Sequence, residues 1–339
     1  MNSLERVVAT IARRPADRVP VFPQVFGHAA VVAGVPVADY LTNGEVLARC
    51  QVEALRRYGH DAVFAFMGAC VETEAMGSVL AWSEGEYPWP ESYALRPDSD
   101  PAGVHVADPE HHGRMPEVLR SLRILHAEVG AEVPVVGAVL GPMTLALQLM
   151  GTEKALYLAV DEPARFETLL DLATEVAVRF GRAQAGAGAR LMMVFDPSAS
   201  PDVVPPAFFR EFLLPQVARL VAALKAAGSL ATWMHVAGPT EPILRYYAEA
   251  GVDIANLDYL VDPGRARRIL PDVCLLGNVR SLAFVLGSPD EIAAEGRGLV
   301  DRHGGRGGFI LSSGCEIPPE ADPRNVAALV AAARRAPLP

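Results

Sequence analysis

The chain has 339 residues, 51% hydrophobic and 21% charged, enough for one large α/β barrel or two ordinary domains with an ample core. Its formal net charge of −10, without clusters of Lys or Arg, argues against nucleic acid or an anionic membrane as the main partner. Four widely spaced cysteines, Cys50, Cys70, Cys274 and Cys315, do not make a disulfide framework. With an N-terminus that lacks the apolar core of a signal peptide, they set a reduced cytoplasm as the expected compartment.

In chain order, Leu4, Val7, Val8 and Ile11 fall at helical spacing over residues 3–14. Val19 to Pro23 then reads as a short strand, leading to Gln24, Phe26 and His28 on a loop. Asn43-Gly44-Glu45 opens an amphipathic helix that Gly59-His60 closes, and 61–66 is a second strand. Residues 78–112 are irregular and rich in Pro, Glu, Asp and His, including the pair His111-His112, which reads as surface. A loop this long inside a compact domain is usually a lid or a binding loop.

From there the alternation is regular. A helix at 115–129 precedes a strand at 133–140, and a long helical region runs from about 144 to 186. The uncharged run Val133 to Gly151 contains Pro134, Gly137, Gly141 and Pro142, so it reads as strand, turn and helix start and not as a membrane span. Residues 189–195 form an apolar strand ending at Asp196, and 206–227 a helix bent at Pro215. Further strands fall at 230–234, 251–258, 272–278 and 308–311, with helices at 240–250 and 325–335. Eight strands separated largely by helical segments predict a single (β/α)8 barrel domain over 1–339, with a long insertion after the second strand. An open doubly wound sheet is the alternative, but no Gly-x-Gly-x-x-Gly follows the first strand and no Walker-type loop appears.

Chemistry in such barrels sits at the C-terminal strand ends. That rule collects His28, the Glu72/Glu74 loop, Asp196, His235, Asp258, Asn278 and Cys315. Each has a bland reading. Cys315 is either a small buried hydrophobe or a thiol presented after Ser312-Ser313-Gly314 beside Glu316. Cys274 lies inside an apolar strand and reads as core, whereas Cys70 precedes a loop and stays open. Asp196, in Phe-Asp-Pro-Ser, either caps the next turn or serves as an acid/base group. Glu72 and Glu74 share a face if their segment is extended and diverge if it is helical.

Several pieces in order resemble the uroporphyrinogen decarboxylase superfamily, and within it the methylcobalamin:coenzyme M methyltransferase-like branch. They are Asp17-Arg18-Val19-Pro20-Val21, Tyr58-Gly59-His60-Asp61, Glu74-Ala75-Met76-Gly77, Gly141-Pro142-Met143-Thr144-Leu145, Gly277-Asn278-Val279 and Gly314-Cys315-Glu316-Ile317-Pro318. The resemblance implies a (β/α)8 barrel. Decarboxylases of the family carry Arg-Gln-Ala-Gly-Arg after the first strand and an aspartate after the second; here those places read Phe22 to His28 and Gly68, which disfavours porphyrinogen decarboxylation.

The methyltransferase branch implies zinc held by a His-x-Cys pair and a later Cys. His235 and Cys315 match two ligands, but Ala237 stands where the middle Cys belongs, leaving Glu74, with Glu72 and Asp258, as candidate third donors. On this resemblance the expected enzyme moves a methyl group between a methyl-corrinoid, which arrives on a separate corrinoid protein, and a small thiol acceptor or other methyl donor. Asp196, His235 and Glu72 are its catalytic candidates, and His28, Met143, Asp258 and Asn278 its substrate contacts. The alternatives are a metal-free decarboxylase using Asp196 and His235, and a non-catalytic binding relative.

Overall fold

The computed structural model describes residues 1–83, 85–305 and 307–334. Eight strands form one parallel sheet: β1 (Val21–Phe22), β2 (Val63–Phe64), β3 (Val135–Leu140), β4 (Leu191–Phe195), β5 (Ala231–His235), β6 (Ile254–Asn256), β7 (Cys274–Val279) and β8 (Phe309–Ser313). Each strand from β2 to β8 pairs with the next in sequence, and β8 pairs with β1, as a (β/α)8 barrel requires. The seam between β1 and β2 is bridged at Asp61. Its amide donates to the Val21 carbonyl at 2.9 Å, and its carboxylate accepts from the Val21 amide at 2.8 Å.

Strand periodicity of two sorts the side chains into two cores. Phe22, Phe64, Leu191, Met193, Trp233, Ile254, Cys274, Leu276 and Ile310 point inward and fill the barrel. Alternate residues, such as Val63, Met192, Val194, Met234, Leu275 and Leu311, meet the surrounding helices. Two consequences matter for the site. His235 lies two residues beyond Trp233 and so continues the inward face at the top of β5. Phe195 is its register partner on β4.

Several elements depart from the sequence expectation, each for a local reason. The helical region 144–186 is three helices, Pro142–Met150, Thr152–Asp161 and Pro163–Gly186, broken where Gly151 takes φ +94° and where Pro163 starts a new first turn. Where a bend is expected at Pro215, a wider turn over Phe209–Leu213 gives way to a fresh helix, Leu214–Ala226, whose first turn holds the proline. Helices Gly27–Val32 and Val37–Thr42 occupy what reads as loop after β1. Residues Pro289–His303 form a helix absent from the sequence reading, although Ser288 and Glu291 make a capping box there. The insertion after β2 contains an antiparallel hairpin, Val79–Ala81 with Trp89–Ser92. No described helix is long and apolar enough to cross a membrane.

Candidate active site

At the C-terminal rim the structure brings His235 and Cys315 together: His235 Nε2 lies 3.5 Å from Cys315 Sγ. His235 is fully buried, between the Phe195 ring at 4.8 Å and the Trp233 ring at 6.2 Å. Burial pushes its pKa down to about 3, against a smaller upward pull from Asn256, so the imidazole is neutral at physiological pH. The Asn256 amide is already committed, accepting from Gln24 Nε2 at 3.1 Å and donating to the Gly314 carbonyl at 2.7 Å. His235 Nδ1 is left without a well-formed hydrogen bond among the described residues. Gln24 also donates to the Ser313 carbonyl at 2.9 Å. Gln24 and Asn256 thus tie the ends of β1 and β6 to the turn that presents Cys315.

Cys315 is held from the other side by Ser281, whose hydroxyl donates to the Cys315 carbonyl at 2.9 Å and accepts from its amide at 3.2 Å. Burial pushes the thiol up to about 11. The neighbouring Glu316 is half-buried and its pKa is also raised, to about 7, chiefly by desolvation; its carboxylate accepts from the Tyr87 hydroxyl and from the Gly27 amide at 3.3 Å. Tyr87 comes from the hairpin of the insertion, so the insertion is latched to the loops after β1 and β8. Gly27 and Gly68 make room for it: a Cβ on either would fall 2.9 Å from a Tyr87 atom.

The remaining candidates have other tasks. Asp196 ends β4 but faces the start of the next helix: Oδ1 accepts from the Thr144 amide and hydroxyl, both at 2.7 Å, and Oδ2 from the Met143 amide at 3.4 Å. Burial still raises its pKa to about 6. Asp196 is therefore an N-terminal cap for Pro142–Met150, supplied from the adjacent strand, and Met143 is fully buried beside it.

Residues Val71–Ala75 are helical, so Glu72 and Glu74 diverge. Glu72 accepts from the Leu140 amide at 2.7 Å and lines an internal cavity with Phe66, Val118 and Phe180. Glu74 is ion-paired to Arg114 at 2.6 Å, which corrects its reading as a third metal donor.

His28 spends both ring nitrogens on structure, against the Tyr58 hydroxyl at 2.9 Å and the Pro319 carbonyl at 3.1 Å. Asn278 donates to the carbonyls of Asp258 and Val261, shaping the loop after β6. The same loop carries Asp258, whose charge adds a little to burial in raising the Cys315 thiol's pKa. Cys274 is core, and Cys70 donates to the Pro88 carbonyl at 3.3 Å.

Two donors bound to one tetrahedral zinc stand about 3.5 Å apart. His235 and Cys315 match that spacing, and a neutral imidazole is the form a metal needs. A third donor is not assembled: among the described residues no group of three His, Cys, Asp or Glu side chains is gathered. The residues thus fit two positions of a zinc site and fall short of a three-ligand one.

Fold and site together define a (β/α)8-barrel protein with an imidazole–thiol pair at the strand ends. The chain belongs to the uroporphyrinogen decarboxylase family, whose pattern matches residues 2–336. Over 335 residues it is 30% identical to a methylcobamide:CoM methyltransferase of Methanosarcina barkeri, covering 96% of each chain. It is 29% identical to a uroporphyrinogen decarboxylase of Syntrophotalea carbinolica, covering 94% of this chain and 93% of that one. A solved methyltransferase from Methanosarcina mazei superposes with a TM-score of 0.90 at 29% identity, over 98% of both chains.

Proposed function

We infer that this chain is a methyltransferase, and propose that it moves a methyl group between a methyl-corrinoid and a small thiol. The observation that carries the reading is the His235–Cys315 pair at 3.5 Å on the rim. The methylcobamide-using and methyltransferase relatives over nearly the full chain support it. In the transfer, the thiol sulfur forms a bond to the methyl carbon while the cobalt–carbon bond breaks, leaving its electron pair on cobalt as cobalt(I). The thiol proton goes to solvent, because His235 is too weak a base to keep it.

His235 and Cys315 would hold zinc at two positions. When bound, the metal would supply Lewis acidity that lowers a thiol's pKa. The chain's own residues fix the imidazole ring by Phe195 and Trp233 and fix the Cys315 turn by Ser281, Asn256 and Gln24. The corrinoid would be delivered by a separate corrinoid protein, and the latched insertion would border its approach.

Decarboxylation by Asp196 and His235 is less compatible with the geometry. Asp196 is spent on Thr144 and Met143, and His235 is held neutral by burial. The test is metal content and turnover together. Purified protein should carry zinc that His235→Ala and Cys315→Ala each lose, and should demethylate methylcobalamin with a thiol. Full-length folded protein with neither zinc affinity nor demethylation would overturn the proposal.

A further inference from the structure

A neutral imidazole carries its hydrogen on either ring nitrogen, and the side chains around His235 select one of the two forms. His235 and Asn256 are the last residues of β5 and β6. Trp233 faces Ile254 and Met234 faces Ala255 across those strands, so His235 and Asn256 continue the register side by side. Trp233 and Ile254 belong to the inner core, and a step of two along each strand returns His235 and Asn256 to that face. Neighbouring strands lie about 4.8 Å apart, so the atoms carried on Cγ of the two residues stand at the same height. For His235 that atom is Nδ1, and for Asn256 it is one end of the amide. Both side chains are fully buried.

The partners of Asn256 decide which end faces the ring. Its Nδ2 donates to the Gly314 carbonyl at 2.7 Å, and a carbonyl only accepts, so Oδ1 is the acceptor that remains. Gln24 is oriented in the same way, with Nε2 donating to the Ser313 carbonyl at 2.9 Å and to Asn256 Oδ1 at 3.1 Å. Two main-chain carbonyls of the turn that presents Cys315 thus set the direction of both amides. Asn256 pulls the His235 pKa upward, as an acceptor beside a ring N–H does. Gln24 Oε1 is a second buried acceptor, without a partner among the described residues, so a bare Nδ1 lone pair would add a further acceptor to a buried layer already in excess. On the other side of the ring, Nε2 lies 3.5 Å from Cys315 Sγ. With the hydrogen on Nδ1, the Nε2 lone pair is free to accept the thiol hydrogen or to hold a metal ion. With the hydrogen on Nε2 it does neither.

We propose that Asn256 is a positioning residue: its Oδ1, held in place by Gly314 and Gln24, keeps His235 in the Nδ1–H form and turns the Nε2 lone pair towards Cys315. The place of the hydrogen stands without the methyl-transfer reading, and only its consequence for zinc rests on that reading. Partners of a ligating histidine's second nitrogen are worth about 10–100-fold in metal affinity.

Nitrogen-15 spectra of the full, metal-free chain, labelled in its histidine rings, give the test. The His235 signals are those lost in His235→Ala or, if that variant does not fold, those moved in Cys315→Ser. They should show a protonated Nδ1 and an unprotonated Nε2. Asn256→Asp retains an acceptor and should keep the hydrogen on Nδ1, whereas Asn256→Ala should give a mixture of the two forms. Ser281 bonds the Cys315 backbone and not the two amides, so Ser281→Ala loosens the same turn and should leave the His235 form unchanged. Zinc added alone should bind Asn256→Ala about 10–100-fold more weakly than wild type. A protonated Nε2 in wild type, as a bond from the unpartnered Trp233 Nε1 to Nδ1 would produce, overturns the proposal. So does a pure Nδ1–H form, or undiminished zinc affinity, in Asn256→Ala. A wild type that shows the Nδ1–H form but binds no zinc counts against the metal reading and leaves the role of Asn256 standing.

Discussion

At the scale of single residues, the strand-end rule gathers residues along the C-terminal rim, and contact geometry shows what each member touches. Asp196 is the clearest case. Its two oxygens take three hydrogen bonds from Met143 and Thr144, and Gly141 lies so close that a Cβ there would fall 2.2 Å from Asp196 Cβ. Asp196→Ala would leave the Met143 and Thr144 amides unpaired in the core and the Thr144 hydroxyl with the Ser198 amide alone, costing about 2–4 kcal/mol. Gly141→Ala should destabilise through the clash even with Asp196 present. Thermal unfolding of both variants checks this, and a wild-type melting temperature for Asp196→Ala would exclude the capping role.

Glu72 gives a prediction in pH. Burial raises its pKa from 4.5 to about 7 while the Leu140 amide pulls it down by less. A carboxyl whose folded pKa is raised is easier to keep protonated in the folded chain, so its ionisation weakens the fold as pH rises through the interval from about 4.5 to 7. Glu72→Gln keeps an acceptor for Leu140 and removes that ionisation. The stability of Glu72→Gln relative to wild type should therefore improve between pH 5 and pH 8, by up to about 3 kcal/mol. The comparison must be made within that pair, because the depressed pKa values of His60 and His235 make the wild-type curve a sum of opposing terms. An unchanged gap across the range would show that Glu72 ionises freely.

At the scale of elements, the insertion after β2 is read correctly as long, but its role comes from one residue. Tyr87 is carried down by the hairpin to Glu316 and the Gly27 amide, and its ring packs where Gly68 has no side chain. The alternation of apolar residues says nothing about this, since a tyrosine in a Pro-rich stretch looks like any surface aromatic. Tyr87→Phe retains the ring packing and removes the latch. It should leave the barrel's melting temperature nearly unchanged while residues 79–112 are cleaved several-fold faster in limited proteolysis. Equal cleavage rates would mean that packing alone holds the insertion down.

At the scale of the whole molecule, the face opposite the site is organised by Asp61. It accepts from Arg6 at 2.8 Å, from Arg18 at 2.7 and 2.9 Å and from Ser3 at 2.7 Å, besides closing the seam to Val21. One buried carboxylate thus fastens the first helix, the first strand and the second strand at the N-terminal end, where barrels invest in stability and not in chemistry. Removing it takes away the carboxylate partner of Arg18 and leaves Arg6 to Asp17 alone, so Asp61→Ala should cost about 3 kcal/mol. Asp61→Asn, which keeps the shape and part of the bonding, should cost less. Soluble expression and melting temperature of the two variants provide the check.

The sequence by itself determined the barrel, because strand and helix periods are local properties and eight apolar strands separated largely by helices leave few ways to close a sheet. It also determined that the β5 and β8 ends carry His235 and Cys315, since strand ends are marked by the residues that stop them. Only the tertiary structure decided which of the gathered side chains meet. Glu72 and Glu74 stand two residues apart on a helix, about 200° around its axis, so one turns to the Leu140 amide and the other to Arg114. Asn256, Gln24, Tyr87 and Glu316 reach the site through contacts 58 to 289 residues apart in sequence, which no local pattern encodes.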